Sequence, residues 1–175
     1  DGMDKMEKNY TTIQYYVICD LLYNFLFYDH TLWEYRSVET EWLNHTIIDL
    51  IFTFLIIPVA IYFYLSFLPE GKKMFVYITG WVILFEIIEF FFHQKGLFLY
   101  HNGWNAMWSF IFNIILFTML RLHHRSNVKA IILTVPVIAL LLWFFHPSFA
   151  DLNNEKQVDL IAISYKTKKK DFIIA

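Results

Sequence analysis

Four long apolar stretches, residues 50–69, 74–94, 96–120 and 130–150, constrain this chain more than anything else in it. A helix rises 1.5 Å per residue, so about 20 apolar residues cross the roughly 30 Å hydrocarbon core of a bilayer. Three of the stretches contain no Asp, Glu, Lys or Arg, and the second holds only Glu86 and Glu89. Buried helices of soluble domains seldom run to this length four times in succession with such short connections. Pro58 and Pro136 fall inside two of the stretches. In water either would break a helix, whereas a membrane helix accommodates the kink. Composition agrees: 58% of residues are hydrophobic and 17% charged, against about 45–50% and 25% in soluble domains. Nineteen Phe, eleven Tyr and six Trp exceed what a core of this size can bury.

The expected fold is therefore an all-α integral membrane helix bundle of four transmembrane helices preceded by an N-terminal amphipathic helix. Three regions follow: an N-terminal amphipathic or interfacial segment at 1–46, the four-span bundle at 47–149 and a polar tail at 150–175. Within the first region, Thr12, Tyr16, Asp20 and Asn24 recur every four residues, a polar stripe on an otherwise apolar helix. An interfacial helix fits this pattern, and so does a fifth span with Asp20 turned into the bundle. The acidic and basic residues before it, with no small-residue cleavage site after it, do not make a secretory signal. A single cysteine, Cys19, excludes an internal disulfide and a Cys-based zinc site. A net charge of −2 without a basic face gives no reason to expect a nucleic-acid partner. The expected surroundings are a lipid bilayer, with a membrane-protein partner or a second copy of the chain as further company.

Lys72, Lys73, Arg121, Arg125 and Lys129 fall in the loops after the first and third spans, which places those loops on the cytoplasmic side. Lys166, Lys168, Lys169 and Lys170 in the tail argue the other way, but from a distance. Trp33, Trp42, Trp104, Trp108 and Trp143 map to the proposed outer side as an aromatic belt. The tail reads as a partly disordered polar segment or as a surface segment that anionic lipid would attract.

The polar residues inside the spans carry the functional signal. His45, Asp49 and Thr53 are four apart; Glu86, Glu89 and His93 follow an i, i+3, i+7 pattern; Asn105, Ser109 and Asn113 are again four apart. Up-down connectivity puts all three stripes in one half of the membrane, joined at that level by His101 and His146. A carboxylate near the bilayer centre costs about 2.5–3.5 kcal/mol, so Glu86 and Glu89 should face into the bundle. Three readings compete. One is a hydrogen-bonded polar core that fixes helix register. Another is a divalent metal site for zinc, manganese or iron built on Glu86, Glu89, His93, Asp49 and His45, the basis of a metal-dependent membrane enzyme. The third is a path for a proton or small solute. No serine or cysteine nucleophile motif supports an intramembrane hydrolase, and the Glu-x-x-His pairs that di-iron bundles repeat on two helices are missing. The balance favours a non-enzymatic membrane protein with a buried polar cluster, with a structural or accessory subunit of a larger complex as another class. His123 and His124, beside Arg121 and Arg125, read as interfacial loop residues.

The run Gly103-Trp104-Asn105, then Trp108-Ser109, then Leu120-Arg121-Leu122-His123-His124 resembles a family of small multi-span membrane proteins from Bacillus and related Firmicutes. Trp81, Glu86, Glu89, Gly96, Tyr100 and Lys129-Ala130 fit the same pattern, which extends over residues 39–146. The resemblance implies a multi-pass plasma-membrane protein of a Gram-positive bacterium. It supplies no activity and no catalytic residues.

Overall fold

The computed structural model describes residues 2–36 and 45–146, with side chains from Met6 and, after the gap, from Ile47. The chain divides into two compact units, Asp1–Phe145 and His146–Ala175. Of the second only His146 lies among the described residues, so the tail lies outside them, as does Trp42.

Helix α1 (Gly2–Leu26) is followed by strand β1 (Trp33–Tyr35). Then come α2 (His45–Ile51), a π turn (Phe52–Ile56) and α3 (Ile57–Ser66), which continue one another. Next are α4 (Lys73–Gln94), strand β2 (Phe98–Tyr100), α5 (Ala106–Arg125) and α6 (Asn127–Phe145). Among the described residues, four helical stretches are long and apolar enough to cross a membrane: Ile47–Ser66, Lys73–Gln94, Ala106–Arg125 and Asn127–Phe145. Their outer faces carry large apolar side chains, with Phe75 79% and Trp143 83% exposed. Such a surface suits a hydrocarbon surround.

Two features differ from expectation. The chain is not wholly α: β1 and β2 pair antiparallel, with Trp33 opposite Tyr100, Glu34 opposite Leu99 and Tyr35 opposite Phe98. The third helix also starts ten residues later than residue 96 and ends at Arg125. Gly96 explains both. It takes a left-handed φ of 69° after α4. The Gly96 amide donates to the His93 carbonyl at 3.0 Å and the Leu97 amide to the Phe92 carbonyl at 2.9 Å. This double closure ends a helix at a glycine. A second turn follows, with Asn102 at φ 52° and Gly103 at φ 83°, and between the two the aromatic segment can only be extended. Asn105 then opens α5 as its N-cap, its side-chain oxygen accepting from the Met107 and Trp108 amides. Replacing Asn105 by Ala should cost about 1 kcal/mol, the usual worth of such a cap, read as a lower thermal midpoint in mild detergent.

Helix α1 lies along the bundle rather than across one end of it. Near its start Asn9 meets His124 at 3.1 Å and Thr12 meets His123 at 3.1 Å, both at the end of α5. At its other end Phe27 is buried with Trp104, just ahead of α5. The two helices are therefore antiparallel neighbours over their length. His123 is accordingly not a loop residue: it is buried and stacks on Tyr15 at 4.3 Å.

Two apolar cores bracket the middle of the bundle. Ile61, Tyr64 and Leu65 of α3 pack with Val82 of α4 and with Phe117 and Leu120 of α5. Phe27, Leu32, Trp104 and Phe145 form the other. Between α2 and α3 the π turn has a local cause. Pro58 offers no amide to the carbonyl of Phe54 and its ring crowds that carbonyl. The ladder slips by one residue, and the Ile57 amide bonds to the Phe52 carbonyl.

A candidate ligand cavity

A cavity of about 360 Å³ lies between the two cores, walled by residues of every helix. Its polar lining includes Asp20 from α1, Asp49 and Thr53 from α2 and the π turn, Glu89 from α4, Ser109 and Asn113 from α5, and Thr134 from α6. The rest is largely aromatic and aliphatic.

Asp20, Thr53, Glu89, Ser109 and Asn113 are each tied to another part of the chain. The Thr53 hydroxyl donates to Asp20 Oδ2 at 2.5 Å, joining the π turn to α1. Tyr100 of β2 donates its hydroxyl to Glu89 Oε1 at 2.5 Å. The Trp104 indole donates to Ser109 Oγ at 3.0 Å. Asn113 donates through Nδ2 to Glu86 Oε1 at 2.7 Å, so Glu86 stands behind the cavity wall, linked to it through Asn113. Burial holds the Tyr100 and Tyr35 hydroxyls well above the usual phenol range.

Of the residues the sequence singles out, Asp49, Thr53, Glu89, Ser109 and Asn113 come together around this space, and Glu86 adjoins it. His93 and Asn105 do not. His93 is exposed, with Nδ1 against the Phe98 carbonyl at 2.9 Å, where it braces β2. Asn105 is exposed and occupied with its helix cap. The His45 backbone opens α2, but its side chain lies outside the described residues, and His146 belongs to the second unit. His101 sits at the strand pair, its Nε2 3.0 Å from Glu34 Oε2. Among the described residues, no three His, Cys, Asp or Glu side chains come close enough to hold a metal ion together. Glu86 and Glu89, one turn apart, are drawn to different partners.

The cavity also has members that the stripes on the spans do not contain. Asp20 is the chief one, with Tyr16 beside it on α1 and Tyr35 on β1. The signal for Asp20 was present as an i, i+4 polar stripe, but only the placement of α1 against the π turn connects it to the other acids. Thr12 and Asn24, on the same stripe, serve elsewhere: Thr12 meets His123, and Asn24 donates back to the Asp20 carbonyl.

The lining thus brings three carboxyl groups to a largely apolar cavity whose described lining contains no Lys, Arg or His. Comparison with protein-family models, curated proteins and solved structures found no match to this chain.

Proposed function

We propose that the chain is a multi-pass plasma-membrane protein that handles a proton or small solute through its central cavity, with Asp20, Asp49 and Glu89 as the groups that meet it. The observation that carries this reading is the cavity itself. Its volume of about 360 Å³ falls in the range of ligand pockets, roughly 300–1,000 Å³, and it combines apolar walls with a few placed polar groups, as such pockets do. Carboxyl groups set inside a membrane helix bundle are costly and mark solute or proton paths. On this reading α1 is a fifth span: its 25 residues reach about 37 Å at helical rise. The loops carrying Lys72, Lys73 and Arg125 face the cytoplasm, and the strand pair lies on the outer side.

The test is proton flux. Liposomes containing the full chain and a trapped pH dye, given an acid step outside, should acidify faster than empty liposomes. Glu89→Gln and Asp20→Asn should each bring the rate back toward the empty-liposome value. A wild-type rate equal to that of empty liposomes would remove the proton reading.

A further inference from the structure

We infer that Arg121 holds the phosphate group of an anionic membrane lipid, at the end of the bundle where α3 stops and α4 begins; this does not depend on the reading of the central cavity. Arg121 is the first charged residue of α5 and follows Leu120, which is fully buried in the core shared by α3, α4 and α5. Its own side chain is half-buried. Part of it reaches the surface, while Nε is enclosed without a hydrogen-bond partner among the described residues.

The polar groups nearby are already engaged with one another. The Tyr64 hydroxyl donates to the carbonyl of Phe117, one turn before Arg121, at 2.9 Å, and the Tyr77 hydroxyl donates to the Tyr64 carbonyl at 2.9 Å. Among the described residues no carboxylate forms an ion pair with Arg121. Glu70, the acid of the connection between α3 and α4, is exposed and does not answer it. Arginine stays charged at any physiological pH. A half-buried guanidinium that its own chain leaves unanswered is costly, and an outside anion at its exposed end offsets that cost.

The surroundings say which anion. The Tyr64 and Tyr77 bonds bring the end of α3, the start of α4 and the end of α5 to one level. Lys72 and Lys73 at the head of α4, and Arg125 one turn beyond Arg121, therefore stand at the same end of the bundle, all exposed. The Nη groups of an arginine form a fork that fits two phosphate oxygens, and lysines around it add charge without fixing geometry. Phe67 and Phe75, which flank the two lysines in sequence, are exposed as well. A soluble phosphate has no use for such rings. A lipid lays its acyl chains on them and sets its phosphate where an apolar helix gives way to its first charges.

Native mass spectrometry of the full chain, released from mild detergent containing equal amounts of phosphatidylglycerol and phosphatidylcholine, tests the assignment. The wild-type chain should retain the anionic lipid at least about tenfold more than the zwitterionic one, and Arg121→Gln should cut that preference by about tenfold. Arg121→Lys keeps the charge without the fork and should fall between the two. Arg36→Gln removes a cation beside the strand pair and should leave the preference unchanged. Glycerol phosphate, the soluble part of the same headgroup, should not displace the lipid at equal concentration. Thermal melting separates binding from a merely structural role: without lipid, Arg121→Gln should melt like the wild type, and it should lose the rise in midpoint that phosphatidylglycerol gives the wild type. If Arg121→Gln fails to fold, Arg121→Lys decides by a weakened or an unchanged preference. Equal retention of the two lipids, retention untouched by the Arg121 variants, or an equal loss in Arg36→Gln would each overturn the assignment. Displacement by glycerol phosphate would overturn it in favour of a soluble phosphate.

Discussion

Trp104→Ala should lower the unfolding free energy by about 3–5 kcal/mol, the usual cost of truncating a large buried aromatic. Only 5% of Trp104 is exposed. Its ring packs against Trp33 at 5.2 Å and Phe145 at 5.1 Å, and its indole holds Ser109. The substitution would therefore open a space where the strand pair, α5 and α6 meet, and would leave a cavity hydroxyl without its donor. Trp143→Ala supplies the contrast: that ring is 83% exposed, and its loss should change stability by less than about 0.5 kcal/mol. Denaturant titration of both variants in the same mild detergent, followed by circular dichroism, makes the comparison. Equal losses in the two would mean that the Trp104 end of the bundle is not packed as described.

The second large effect concerns Glu86 and Asn113, which tie α4 to α5 away from any loop. Asn113→Leu removes the donor facing a half-buried carboxyl group. A hydrogen bond to a charged group is worth about 1.5–3 kcal/mol, and leaving the acceptor unanswered adds its desolvation cost. Glu86→Leu alone strands the Asn113 amide in the same way. The Glu86→Leu/Asn113→Leu double variant leaves neither group stranded and should recover most of the loss, because an apolar pair can replace a buried polar pair at little cost. A coupling energy of about 0.5–3 kcal/mol is expected from the cycle. Strict additivity would show that the two side chains do not act on one another.

The four spans were legible because membrane crossing is a summed property: about 20 apolar residues suffice whatever their order. The start of the third was not, because residues 96–105 are apolar enough to belong to it. The His101-Asn102-Gly103 run is a turn signal that hydropathy outvotes. The candidate site was legible to the extent that spacing fixes a face. Asp49 with Thr53, and Ser109 with Asn113, share their stripes and do reach the cavity. Spacing does not say where a stripe stops being buried, so His93 and Asn105, each at the end of its row, go to a strand brace and a helix cap. Asp20 needed a fact no local pattern holds, namely the rotation and depth of α1 against the π turn. The short antiparallel pair was hidden for a related reason. Its strands lie more than sixty residues apart in sequence, with Trp33 opposite Tyr100, and each is only three residues long.

The π turn at Phe52–Ile56 acts as a phase corrector. Residues four apart on a straight α-helix fall about 40° further round at each step, because the repeat is 3.6. The row Asp49, Thr53, Ile57, Ile61 and Leu65 would therefore wind about 160° around its helix, and its two ends would face opposite sides. One surplus residue in a turn takes back about 100° of that rotation. The row then winds only about 60°, so a single helical stretch presents its acid and hydroxyl to the cavity and still buries Ile61 and Leu65 in the core beyond it.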